Sequence, residues 1–240
     1  MTGIIIKNIS NDYTIEANNQ LFTCKPRGKF RLNNLTPLVG DIVDFDETNN
    51  YILNIHPRKN ELIRPSIANI DIAIIVTSVK DPNFDTTLLD KELTIISYNS
   101  IEPIIYFTKL DLLNELENKE IQKYIEYYQS IGYKTATSVD KLLPLIKDKV
   151  VVLTGQSGAG KSTLLNKIDP TLKLKTDEIS YALGRGKHTT RHTEFFKTAN
   201  AHIADTPGFS KIDFHNMTPI DIRDNMKEMF DNLEKCKYQD

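Results

Sequence analysis

Val150 to Ile168 reads VVVLTGQSGAGKSTLLNKI. Gly155, Gly160, Lys161 and Ser162 fit GxxxxGK[ST], after an apolar β-branched run (Val150 to Leu153) and before a helix-like run (Ser162 to Ile168). The order is therefore strand, loop, helix. Glycines let successive backbone N–H groups curl into a concave nest for phosphate, Lys161 brings a positive charge to the β- and γ-phosphates, and the Ser162 hydroxyl can ligate Mg²⁺. The loop residues Gly155, Gln156, Ser157, Gly158, Ala159, Gly160, Lys161, Ser162 and Thr163 are all taken as nucleotide contacts.

A second segment, PIIYFTKLDLL (Pro103 to Leu113), is a buried-strand run ending in Thr108-Lys109-Leu110-Asp111, the [NT]KxD pattern of guanine-specific proteins. The Asp111 carboxylate can accept both the ring N1–H and the exocyclic amine of guanine, a bidentate pair that adenine does not offer. Lys109 is expected to lay its stem along the base. The bland alternative makes Asp111 a helix cap. YKTATSVD (Tyr133 to Asp140) is expected to be a strand ending in Thr137-Ser138, which resembles the element that touches guanine O6 through backbone N–H.

After the apolar AHIA strand, Asp205-Thr206-Pro207-Gly208 fits DxxG: the carboxylate holds Mg²⁺ through water and the Gly208 N–H meets the γ-phosphate. Between the two phosphate motifs lies GRGKHTTRHTEFF, where Thr189 or Thr190 is the candidate switch threonine, with Thr190 preferred. The expected Mg²⁺ ligands are Ser162, Thr190 and Asp205. Phe209 follows DxxG and cannot orient water, so His188, and after it His192, is the candidate catalytic group beside Thr190 and Gly208.

The motif order is rotated. Familiar GTPases run phosphate loop, switch threonine, DxxG, base-reading motif; here the base motif comes first. A compact α/β domain with neighbouring termini tolerates such a permutation. In that order, FTKLD, TGQSGAGKST, LGRGKHTTRH and DTPGF resemble the circularly permuted ribosome small subunit-dependent GTPase A family, and the resemblance runs from about Ile4 to Asp240. It implies a factor that binds the 30S subunit and its 16S rRNA late in assembly and hydrolyses GTP to GDP there. ATP-using P-loop chemistry, and an RNA-binding scaffold whose nucleotide site only senses, are the alternatives.

The chain has 240 residues, 40% hydrophobic and 26% charged, enough for one domain of about 150 residues and smaller ones. A net charge of −2 excludes a bulk polycation, so RNA contact must be local. CKPRGKFRL offers Lys25, Arg27, Lys29 and Arg31 with Phe22 and Phe30 interleaved. Five short strand-like runs up to about Pro65, separated by Asn, Gly and Pro, predict a small all-β OB-fold barrel. Alternating strands and helices then predict a mostly parallel, doubly wound α/β sheet, the permuted P-loop GTPase domain. The expected division is 1–67 barrel, 68–214 GTPase domain and 215–240 helical C-terminal segment, with one helix from Pro219 to Lys235.

The DxxG segment thus leads directly into the tail. By the resemblance, Cys236 is the first ligand of a small zinc domain, and the sequence ends at Asp240, one residue before the second ligand is expected. Zn²⁺ is expected only where that domain is complete. Two cysteines, no secretory signal and no apolar stretch near 18 residues point to a cytoplasmic protein off the membrane, expected to act as a monomer.

Overall fold

The computed structural model describes residues 1–28, 30, 35–62, 66–174, 193–198, 200–205, 214 and 217–235. The first five strands are β1 (Thr2–Ile9), β2 (Asp12–Ala17), β3 (Gln20–Pro26), β4 (Ile42–Asp46) and β5 (Tyr51–Ile55). Ser10-Asn11 and Asn18-Asn19 all carry positive φ, the requirement of two-residue hairpin turns that follow the strand twist. Register is set by alternation: Tyr13, Ile15 and Ala17 of β2 turn inward while their neighbours face out. The strands order β1-β2-β3-β5-β4, and β4 pairs back onto β1 to close the barrel, with β3 and β5 parallel. That is the OB-fold path.

The aromatic half of the expected RNA patch goes elsewhere. Phe30 is buried and the Phe22 ring packs 5.0 Å from Phe45, so both belong to the barrel core and neither is a stacking platform. Alternation decides this: the basic Lys25 flanks buried Cys24 and stays outside, against Asp12 at 3.8 Å. Arg27 is exposed; Lys29 and Arg31 lie outside the described residues.

A hairpin of β6 (Glu61–Leu62) and β7 (Ile67–Ala68) follows the barrel. Asp41, wholly buried, anchors the junction: it accepts from Leu38 N–H (2.7 Å), Arg58 Nε (2.7 Å) and Arg58 Nη2 (2.8 Å), while Nη2 also reaches Thr36 O (2.7 Å). Removing one partner of a buried pair leaves the other charge uncompensated. Asp41→Ala should therefore lower unfolding free energy by about 3 kcal/mol, read from urea denaturation, and a loss below about 1 kcal/mol would assign the pair no structural weight.

The second sheet holds β8 (Ile72–Ser78), β9 (Glu102–Thr108), β10 (Lys134–Ala136), β11 (Val150–Thr154), β12 (Thr193–Thr198) and β13 (Ala201–Asp205). Its order is β10-β9-β8-β11-β13-β12, parallel except for β12. Helices α1 (Thr86–Tyr98), α2 (Glu115–Ser130), α3 (Val139–Ile146) and α4 (Lys161–Ile168) connect the strands. The strands are apolar on both faces, as a helix-covered parallel sheet demands. Ala73, Ile75, Ile105, Phe107 and Val152 pack in one core with α1 and α2; Ile72, Ile74, Val76, Ile104, Val151 and Leu153 pack in the other with α3 and α4. The chain winds from β8 out to β10, then returns to β11 and β13 on the other side. The direction reverses between β8 and β11, where ligand crevices form in open α/β sheets.

Two elements depart from expectation. The strand at Lys134 stops at Ala136, and α3 follows with Pro144 inside it. The single final helix is broken: α5 (Pro219–Asn225) opens with a Thr218–Asp221 capping box, Met226 is extended (φ −104, ψ 106), then come α6 (Lys227–Phe230) and a 3₁₀ turn at Leu233–Lys235. The break redirects Lys227, whose ammonium sits 4.3 Å over the Tyr133 ring and donates to Gly132 O (2.7 Å). These contacts hold the tail against the end of α2.

Barrel and second sheet are continuous. β1 pairs antiparallel with β12, Lys7 opposite Glu194 and Asn8 opposite Thr193. Lys7 Nζ meets Glu194 at 2.8 Å, and Glu16 of β2 accepts from Lys197 and lies 2.9 Å from His202 Nε2. Among the described residues no helix is long and apolar enough to cross a membrane.

Candidate nucleotide site

Every described candidate loop leaves the carboxyl end of a parallel strand. β11 ends at Thr154 and enters the loop at Gly155, whose φ is +125. A Cβ there would stand 2.2 Å from the Val76 carbonyl oxygen of β8, so only glycine lets the two strands lie this close. Gly160, also at positive φ, is the N-cap of α4, and no side chain caps that end. Orphan N–H groups and the helix dipole thus face the loop, as an anion site requires. Lys161 Nζ folds back over it, donating to Gly155 O (2.6 Å) and Gln156 O (2.7 Å). Ser162 is buried at the start of α4; Thr163 is exposed.

The candidate base-reading segment is tied to that loop. Thr108, the last residue of β9, donates from Oγ1 to Ala159 O at 2.6 Å and lies 3.3 Å from Thr77 O. Two segments 51 residues apart in sequence are thereby bolted together. Lys109 is in the left-handed region (φ +61) and its ammonium donates to the Asp81 carbonyl. That turn puts Leu110–Leu112 into one 3₁₀ turn with Asp111 exposed. Asp111 is not a helix cap: α2 takes its cap from Asn114, with Glu117 closing the box. Thr137 and Ser138 are half-buried between β10 and α3, and the Ser138 side chain makes no cap bond. Asp205 ends β13 opposite Leu153, which sets its backbone beside the strand that feeds the phosphate loop.

Thr189, Thr190, His188, His192, Thr206 to Phe209 and Cys236 lie outside the described residues. Among the described residues no cluster of three or more His, Cys, Asp or Glu side chains could hold a metal ion.

One titratable group escaped the sequence reading. Glu92 of α1 is 5% exposed and lies behind the phosphate loop. Burial pushes its carboxyl up to about 7, and the Lys161 charge and Thr154 hydroxyl only partly oppose that. The signal was present. Leu89, Leu93 and Ile96 form the buried stripe of α1, and position 92 falls on it, three after 89 and four before 96.

The RsgA GTPase family model matches residues 55–215, and the RsgA N-terminal domain model matches residues 2–52. Two similar relatives bear the names small ribosomal subunit biogenesis GTPase RsgA, from Streptococcus pyogenes, and RsgA 2, from Oceanobacillus iheyensis. Each is 47% identical, with 100% and 99% of this chain and 83% and 84% of the relative covered. Among solved structures, the circularly permuted GTPase YloQ superimposes with TM-score 0.81 at 36% identity, over 99% of this chain and 82% of that one. YjeQ from Thermotoga maritima gives 0.83 at 32% identity, over 96% and 82%. The strand order, the rotated motifs and these matches agree, and the chain belongs to the RsgA family of circularly permuted GTPases.

Proposed function

We propose that the chain binds GTP with Mg²⁺ at the β8/β11 crevice and hydrolyses it to GDP and phosphate during late maturation of the small ribosomal subunit. As an RsgA-family protein it is a GTPase of small-subunit biogenesis. The bond from Thr108 to Ala159 O carries the reading, because it fixes the base-reading turn relative to the phosphate loop. A guanine held at one end and a triphosphate at the other need that fixed distance.

In this reading Asp111 accepts the guanine N1–H and amine, Lys109 flanks the base, and backbone N–H groups of Thr137 and Ser138 meet O6. The N–H groups of Gln156 to Thr163 and the Lys161 ammonium take the phosphates. The loop fits a metal-bound triphosphate, since its glycine-only approach, uncapped helix start and buried Ser162 hydroxyl leave an anion cradle with an oxygen donor at its rim. Ser162, Thr190 and Asp205 would hold the Mg²⁺. When bound, Mg²⁺ neutralises charge on the β- and γ-oxygens. His188 orients the attacking water, and Gly208 N–H meets the γ-phosphate. Water oxygen bonds to phosphorus, the bond to the β-bridging oxygen breaks, and GDP leaves.

The division at about 67 and 214, contact of the barrel with 16S rRNA, cytoplasmic action as a monomer, and Cys236 as a zinc ligand belong to the same proposal. Steady-state GTP turnover with and without purified 30S subunits tests it. Stimulation of about 10-fold or more is expected, since Phe209 offers no water-orienting group of its own. GTP binding with no stimulated turnover would favour the sensing scaffold.

A further inference from the structure

α1 carries an acid where its pattern calls for an apolar residue. Glu92 lines a cavity of about 20 Å³, room for one water, whose other walls include Val76, Ser78, Leu89 and the loop residue Gln156. The wholly buried Thr154 hydroxyl makes no hydrogen bond of good geometry among the described residues, and Glu92 is the carboxyl beside it. Lys161 supplies an opposing charge, and its ammonium donates to the carbonyls of Gly155 and of Gln156, the loop residue that lines the cavity. The other charged group lining the cavity is Asp85, the N-cap of α1, exposed and occupied in accepting from Leu88 N–H at 3.1 Å.

We propose that Glu92 is a positioning residue of the nucleotide site: its carboxylate, buried behind the loop, attracts the Lys161 ammonium, and it takes up a proton from solvent when the lysine turns to phosphate. The inference rests on reading the loop as a nucleotide site. Two physical facts drive it. Phosphate binding draws away the positive charge that steadies the carboxylate, and it brings several negative charges near a group with almost no water to screen them. The carboxylate then accepts a proton more readily than before. With the carboxyl already near 7, the pH window follows. Nucleotide affinity is greatest below that pH, where Glu92 is neutral in both states. It falls as pH rises through about 7, by at most about tenfold per pH unit, until the bound-state value is passed. Glu92 thus makes loading of the site sensitive to pH in the neutral range.

GDP titration by calorimetry in the presence of Mg²⁺ at about pH 7.5, in two buffers of different protonation enthalpy, counts the protons taken up. The wild-type chain should take up a larger fraction of a proton than Glu92→Gln, which cancels titration of the nucleotide itself. Between about pH 6.5 and 8.5, wild-type affinity should fall several-fold more than that of E92Q or E92M. A purely structural role would not move either readout. Equal proton counts and equal pH slopes in wild type and E92Q overturn the inference, as does a wild-type count no larger than GDP itself explains. No GDP binding at any pH overturns instead the nucleotide-site reading on which it rests.

Discussion

Gly155→Ala should weaken nucleotide binding by roughly 10²–10⁴-fold while leaving the barrel folded. The added methyl would meet the Val76 carbonyl oxygen at 2.2 Å, a backbone atom in the centre of the sheet that has no rotamer to escape into. Position 155 also sits at φ +125, which alanine rarely adopts. Relief must come from the loop, which carries the nest away from the end of α4. Each charge-assisted bond from backbone N–H to phosphate contributes about 1.5–3 kcal/mol, so losing two of them lowers affinity by roughly 10²–10⁴-fold. Equilibrium titration with a fluorescent GDP measures this, and circular dichroism checks that the sheet persists. Affinity within about threefold of wild type in a folded variant would mean that the glycine loop is not the phosphate cradle.

The second large effect is one of identity. Guanine presents two donors along one edge, N1–H and the exocyclic amine, and a carboxylate is a pure acceptor that meets both. Asparagine keeps one acceptor and turns a donor toward the guanine amine. In Asp111→Asn, GTP should therefore lose roughly 10²–10³-fold in affinity, and xanthosine triphosphate, with a carbonyl where guanine has the amine, should gain. Asp111 is exposed in its 3₁₀ turn, so the substitution leaves the core untouched. Competition binding on wild type and variant decides it: unchanged GTP affinity in the variant removes Asp111 from base recognition.

The fold was legible wherever one local rule dominated. IAIIVTS and VVVLT are apolar and β-branched without alternation because both faces are covered by helices. The barrel strands alternate because only one face is covered, and asparagines at the turns tolerate positive φ. The phosphate loop was legible for another reason: its chemistry demands residues that no packing rule would select together.

What stayed hidden was decided at long range. Nothing local says that Lys7 and Asn8 pair with Glu194 and Thr193, so the joining of barrel to sheet could not be seen in the sequence. Phe22 and Phe30 looked like RNA-facing aromatics because residue type was read without the face, and the closed barrel took both inward. α3 was missed because Pro144, the sixth of its eight residues, argues against a helix. The final helix was drawn too long because the pull of Gly132 and Tyr133 on Lys227 has no sequence signature. Glu92 belongs with these: a glutamate among good helix formers passes as a surface residue until the stripe at 89, 93 and 96 is followed through it.

The continuity of β1 with β12 bears on function. β12 begins at Thr193, directly after the segment that holds Thr190 and His188, and β13 ends at Asp205, directly before Thr206 to Gly208. Both strands are thus tied to the barrel, β12 by the ion pairs of Lys7 with Glu194 and Lys197 with Glu16, and β13 by the contact of His202 Nε2 with Glu16.

The central claim is that a rotated chain rebuilds one guanine-specific crevice, with its base reader upstream of its phosphate cradle. A crystal structure with GDP and Mg²⁺ addresses it most directly. The expected result is the diphosphate in the Gly155 to Ser162 loop, Lys161 moved from the Gly155 and Gln156 carbonyls onto phosphate, and both Asp111 carboxylate oxygens about 2.7–3.0 Å from guanine N1 and its amine. A base seated elsewhere, or Asp111 turned to solvent with the nucleotide bound, would contradict it.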